Sequence, residues 1–109
     1  MNLVFLNNIV PNKSMKFPID YAKQIEEILN YIDSKVKKEN ILKMTLYYTS
    51  RECYDEIQLI CETWKPRSLE IEYVGNYMNY NPLIKVMGSV ISQKFTNQNI
   101  HTNEVNYII

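Results

Sequence analysis

The sequence predicts an α/β domain, β-α-β-α-β-α-β, built around a largely parallel sheet. Three observations carry that reading. Short β-branched and aromatic runs stand at residues 3–6, 41–48 and 69–74. Between them lie segments whose apolar residues recur at three- and four-residue spacing, the mark of a helix with one buried face. The length of 109 residues, 46% hydrophobic and 22% charged, suits a single domain with one modest core.

Leu3, Val4, Phe5 and Leu6 form an unbroken apolar run. Such a run fits a strand buried on both faces, in the middle of a sheet. Asn7, Asn8, Pro11, Asn12, Lys13 and Ser14 then make a polar loop, long for a strand-to-helix connection. Pro18 and Asp20 start a helix. Its inner stripe is Ala22, Ile25, Ile28, Leu29, Ile32 and Val36; Lys23, Glu26, Glu27, Asn30, Asp33 and Lys37 face outward. Lys37 and Lys38 close it, since cations favour a helix C-terminus.

Residues 41–48 form the next strand and feed a central helix from Arg51 to Lys65. Thr49-Ser50-Arg51-Glu52 has the form of a capping box, in which the Thr49 hydroxyl and the Glu52 carboxylate each accept from the other's backbone N–H. Pro66 ends the helix, because it has no N–H to donate. Cys53, Ile57, Ile60, Cys61 and Trp64 share the buried stripe, while Glu52, Asp55, Glu56, Leu59 and Glu62 share the opposite face. A helix joined by short loops to strands on either side makes those strands parallel. In the second of them Leu69, Ile71 and Tyr73 alternate with Glu70 and Glu72. One face is therefore wet, and the strand belongs near a sheet edge.

Residues 75–80 are a turn-rich connection. Asn81-Pro82 then reads as an N-cap with proline in the first turn. Leu83, Val86, Met87, Val90 and Ile91 continue at helical spacing, so residues 82–94 are expected to be a helix. The rival is a hairpin turning at Gly88-Ser89, which would make the fold α+β with added antiparallel strands. Residues 104–109 are expected to end the chain as a strand.

The 12 basic and 12 acidic residues cancel, so no basic field for nucleic acid exists. Cys53 and Cys61 lie about 12 Å apart along one helix, too far for a disulfide, and are expected to be reduced core residues. No basic segment with a long apolar run opens the chain, and nothing approaches the roughly 20 apolar residues of a membrane span. The expected location is cytoplasmic, with no membrane partner.

No glycine-rich phosphate loop, nucleophile elbow or zinc-type cysteine pair is present. The one histidine, His101, stands in a polar stretch that nothing orients, and is expected on the surface. No catalytic residue, metal ligand or cofactor is expected, and the chain reads as a non-enzyme.

Two surfaces remain. Residues 51–72 hold Arg51, Lys65 and Arg67 against Glu52, Asp55, Glu56, Glu62, Glu70 and Glu72, in a chain that balances to zero. Glu52, Asp55, Glu56, Leu59 and Glu62, with Tyr77 and Tyr80 as aromatic anchors, would suit a protein partner with a basic surface. A small domain of this kind looks like the immunity proteins of bacterial toxin–immunity pairs. That resemblance implies a toxin domain neutralised by occlusion.

The alternative is a small-ligand or nucleotide site beyond the carboxyl ends of the strands, at Asn8, Thr49, Ser50, Arg51, Gly75 and Asn76. Helix N-termini there would favour an anion, and Arg51 could grip it. The element order and the Tyr48-Thr49-Ser50-Arg51-Glu52 turn resemble Rossmann-like nucleotide-sensing domains such as the CARF class.

Overall fold

The computed structural model describes residues 2–11, 20–94 and 106–107. In order they form β1 (Asn2–Ile9), α1 (Tyr21–Lys35), β2 (Ile41–Tyr48), α2 (Tyr54–Trp64), β3 (Ile71–Val74), β4 (Val86–Lys94) and β5 (Asn106–Tyr107). The strands make one mixed sheet in the order β3-β2-β4-β1-β5.

The β2-α2-β3 unit forms as its sequence predicts. Met44 pairs with Ile71 and Tyr47 with Val74 in a parallel ladder, and β3 lies at the sheet edge. The rest of the sheet is not parallel. β4 lies between β2 and β1 and runs antiparallel to both, and β5 runs antiparallel to β1. The reason is the connection after β3. Residues 75–85 contain no crossover helix, so the chain re-enters the sheet from the end it has just left. The α+β alternative therefore holds, while the alternating parallel repeat and the Rossmann-like layout do not.

Where a helix is expected over 82–94, Val86–Lys94 form a strand, and the chain does not turn at Gly88-Ser89. Asn81 does cap a turn: its Oδ1 accepts from Leu83 N at 3.0 Å, and its carbonyl accepts from Ile84 N at 3.1 Å. The turn stops there. Ile84, Val86, Gly88, Val90 and Ser92 are then buried at every second position. Pairing on both edges rewards that period with two ladders, which an isolated amphipathic helix would not match.

Both helices cover one face of the sheet. Val4, Leu6 and Ile9 of β1, Met44 and Leu46 of β2, and Val86 and Val90 of β4 meet Ile25, Ile28, Leu29 and Ile32 of α1 and Ile57 and Cys61 of α2. Each such aliphatic side chain contributes roughly 1.5–3 kcal/mol on burial. β1 is thus central in the sheet but buried on one face only. Leu3 and Phe5 point the other way and are half-exposed.

Asp20 caps α1, its Oδ1 accepting from Ala22 N at 2.9 Å. The capping box before α2 is not made. Ser50 is extended without a side-chain cap, residues 51–53 form one tight turn, and the Cys53 thiol donates to the Ser50 carbonyl at 3.0 Å. Of the strand expected over residues 104–109, Asn106–Tyr107 form β5; the remainder, with His101, Asn12, Lys13, Ser14 and Pro18, lies outside the described residues. No helix among the described residues is long and apolar enough to cross a membrane.

Candidate functional site

β1, β2 and β3 all finish at the same end of the sheet, because β4 is antiparallel to both β1 and β2 while β3 is parallel to β2. Asn8, Thr49 and Gly75 are therefore brought to one end, as the topological argument requires. The site that forms there is built mainly from other residues.

An open depression of about 630 Å³ lies between the end of β1 and the loop after β3, lined by Asn8, Val10, Tyr77, Met78, Asn79, Tyr80 and Met87. Two local features shape it. The first is a β-bulge. The β1–β4 register slips between Leu6 and Ile9, and Asn8 takes a left-handed φ of 57°. Asparagine tolerates that conformation better than most residues, and a bulge re-aims a side chain out of the regular alternation.

The second is the loop itself. Asn76 is also left-handed, with φ 61°, and reverses the chain after Gly75. A Cβ on Gly75 would lie 3.1 Å from Cζ and Oη of Tyr48, so the end of that ring packs close against the glycine. Tyr77 N then donates to Tyr48 O at 2.9 Å, and the Tyr77 ring lies 6.2 Å from that of Tyr47. Tyr47 pairs with Met87 on the sheet face away from the helices, so that face supplies the floor. Asn79 Nδ2 donates to Tyr77 Oη, and Asn79 Oδ1 accepts from Asn81 N at 2.9 Å.

Of the expected ligand residues, only Asn8 is among the lining residues described. Thr49 instead donates its N–H to the Lys85 carbonyl at 3.1 Å, fastening β2 to the start of β4. Ser50 is spent on the turn before α2. Arg51 and Asn76 are exposed, and Gly75 packs on Tyr48. At the N-terminus of α1, where an anion would bind, the Asp20 carboxylate already accepts from Ala22 N at 2.9 Å.

The acidic-aromatic face does not assemble as one surface. Glu52, Asp55, Glu56 and Glu62 are exposed on α2, and Leu59 is 69% exposed. Tyr77 and Tyr80 stand by the opposite face of the sheet, around the depression. Glu62 is also engaged: Tyr73 Oη donates to its Oε2 at 2.9 Å, and Lys65 Nζ lies 3.7 Å from its Oε1. Burial, and then that hydrogen bond to a carboxylate, holds the Tyr73 phenol well above its ordinary range. Beneath it, burial and then the nearby Glu62 charge push the Cys61 thiol up to about 12.

Sequence reasoning missed Val10, Met78, Asn79 and Met87 as lining, and Gln24 as a buried residue. Tyr77 and Tyr80 stood out in the chain as aromatic anchors, but only the bulge at Asn8 shows what they face.

No protein-family model matches the chain, and no curated protein does. Solved structures do match. A YjgF protein family member from Neisseria meningitidis is 20% identical with a TM-score of 0.74, over 86% of this chain and 81% of that one. A YjgF-family protein from Mycobacterium tuberculosis is 15% identical with a TM-score of 0.67, over 83% and 77%. A Rid family protein of unknown function from Yersinia pestis is 17% identical with a TM-score of 0.68, over 83% and 79%. These neighbours overturn the reading as a toxin-neutralising immunity protein, whose acidic and aromatic parts the sheet in any case separates. The chain has a YjgF-like α+β fold, with a mixed sheet carrying two helices on one side.

Proposed function

We propose that this protein binds a small, flat, polar molecule in the depression between the Asn8 bulge and the Tyr77–Tyr80 loop. The observation that carries the reading is convergence. A left-handed residue at the end of β1 and a hydrogen-bonded loop after β3, remote in sequence, face each other across one open space. Its volume, about 630 Å³, falls within the roughly 300–1,000 Å³ of small-molecule sites.

The lining suits such a ligand. Tyr77 and Tyr80 offer ring faces, Met78 and Met87 offer polarisable thioethers, and the Asn8 and Asn79 amides can donate and accept. Rings and thioethers hold a planar body, and the amides orient its polar edge. The role assigned to these groups is binding and orientation rather than catalysis.

The test uses protein labelled with ¹³C at its five methionine methyls. A panel of nucleobases, nucleotides, amino acids and 2-oxo acids is titrated while the methyl spectrum is recorded. Some members of the panel should move Met78 and Met87 and leave Met44, buried in β2, in place. The same compounds should raise the melting temperature, because a ligand bound only to the folded state stabilises it. A panel that shifts neither Met78 nor Met87 would rule this reading out.

A further inference from the structure

The geometry points to Gln24 as the residue that positions the binding loop. Gln24 lies on α1, on the far side of β4 from the depression, and is fully buried. Its side-chain amide is used at both ends against one short piece of backbone. Nε2 donates to Leu83 O at 2.8 Å, and Oε1 accepts from Lys85 N at 2.9 Å. Between those contacts Ile84 is buried as an apolar plug. Lys85 is held on its other side too, its carbonyl accepting from Thr49 N at 3.1 Å.

From this anchor a run of hydrogen bonds leads into the site. Leu83 N donates to Asn81 Oδ1 at 3.0 Å, Asn81 N donates to Asn79 Oδ1 at 2.9 Å, and Asn79 Nδ2 donates to Tyr77 Oη. Leu83 thus starts a chain of contacts that ends at the two lining residues Tyr77 and Asn79. A buried amide satisfied at both ends is geometrically demanding, and losing one partner leaves the other unpaired at a cost of about 1–3 kcal/mol. A core position merely needing volume would be filled by leucine, as Leu29 fills the same helix. Gln24 is a positioning residue for the site. Its importance for binding rests on the small-molecule reading above; its hold on the loop does not.

Two variants test it, with the same labelled methyls and no ligand. In Gln24→Glu, the protonated acid reproduces the amide: its O–H donates to Leu83 O and its C=O accepts from Lys85 N. The ionised form cannot donate and is repelled by that carbonyl. Burial of this kind raises a carboxyl well above its ordinary value of about 4.3. The Met78 methyl should therefore sit at its wild-type position in acid and move away as pH rises, while Met44 stays. In Gln24→Leu both backbone groups lose their partner at every pH. Met78 should be displaced without any pH dependence, and the Lys85 amide should exchange about tenfold faster.

A wild-type Met78 signal in both variants would overturn the assignment. So would a Met44 displaced together with Met78 in Gln24→Leu, because Gln24 would then be supporting the core at large. If Gln24→Glu unfolds at neutral pH, Gln24→Leu decides by the same two signals. A failed ligand panel would sink the binding role and leave this result untouched.

Discussion

Ile28 and Gly88 meet where α1 crosses β4: a Cβ built on Gly88 would stand 3.1 Å from Ile28 Cγ2. Glycine in mid-strand is otherwise unfavourable, and here it marks the close approach of a helix. Gly88→Ala should destabilise the protein by about 1 kcal/mol. Overpacking of roughly 1–3 kcal/mol outweighs the gain of roughly 0.5–1 kcal/mol from a stiffer unfolded chain. Ile28→Leu removes the Cγ2 methyl, so the double variant should recover part of the loss. Urea unfolding of the two single variants and the double variant measures the coupling; strict additivity would show that the contact is not what glycine is for.

Asp20 and Thr49 both resemble helix caps in sequence, and only Asp20 is one. Asp20→Ala should destabilise by about 1 kcal/mol, the ordinary value of a side-chain cap. Thr49→Ala should change stability by less than about 0.5 kcal/mol, because its contribution to the fold is a backbone N–H that alanine keeps. Chemical denaturation of the two variants separates a cap in the chain from a cap in the sequence.

The sequence carried the β2-α2-β3 unit legibly, because the stripe from Cys53 to Trp64 and the Glu70–Glu72 alternation each have one period. It did not carry β4. Val86 and Val90, four residues apart, satisfy both a helical and an extended pattern once Gly88 and Ser92 stand in buried positions as small residues. Reading β4 as a helix made the sheet parallel and hid its antiparallel pairing with β1 and β2. The site was legible in part. Asn8 and the end of the sheet where it lies follow from topology, and Tyr77 and Tyr80 were marked as exposed anchors for a different purpose. That they face Asn8 depends on a bulge and two left-handed asparagines, which leave no periodic signal.

Tyr73 and Cys61 make stability fall at alkaline pH. Burial first, then the Glu62 carboxylate, holds both acids protonated in the folded state. In the unfolded chain the thiol titrates near about 8.5 and the phenol near about 10. The folded values are raised, so the stabilisation is fully present below those unfolded values. It is lost progressively as pH rises from about 8.5 toward the folded values. Melting temperatures across that window should fall in the wild type and fall less steeply in Tyr73→Phe. An equal slope in the two proteins would remove Tyr73 from the account.

Cys53 and Cys61 are both buried, and a thiol reacts as its thiolate. With Cys61 pushed up to about 12 by burial and then Glu62, iodoacetamide at neutral pH should leave it unmodified in the folded protein. Labelling should follow unfolding in urea, with the same midpoint as the loss of Trp64 fluorescence. Alkylation of Cys61 in native protein would mean that α2 opens locally from the sheet.

Asn8 allows the site's backbone and its chemistry to be separated. Its φ of 57° costs an ordinary side chain about 1–2 kcal/mol, and glycine nothing comparable. Asn8→Ala should therefore destabilise by about 1 kcal/mol, while Asn8→Gly should lie within about 0.5 kcal/mol of the wild type. Both remove the amide that faces Asn79 across the depression. If that amide orients the ligand, the compound that moves Met78 and Met87 in the wild type should bind about fivefold or more weakly to both variants alike, the loss of one net hydrogen bond. Binding that survives in Asn8→Gly and falls only in Asn8→Ala would mean that Asn8 serves the site through its backbone and contributes no contact of its own.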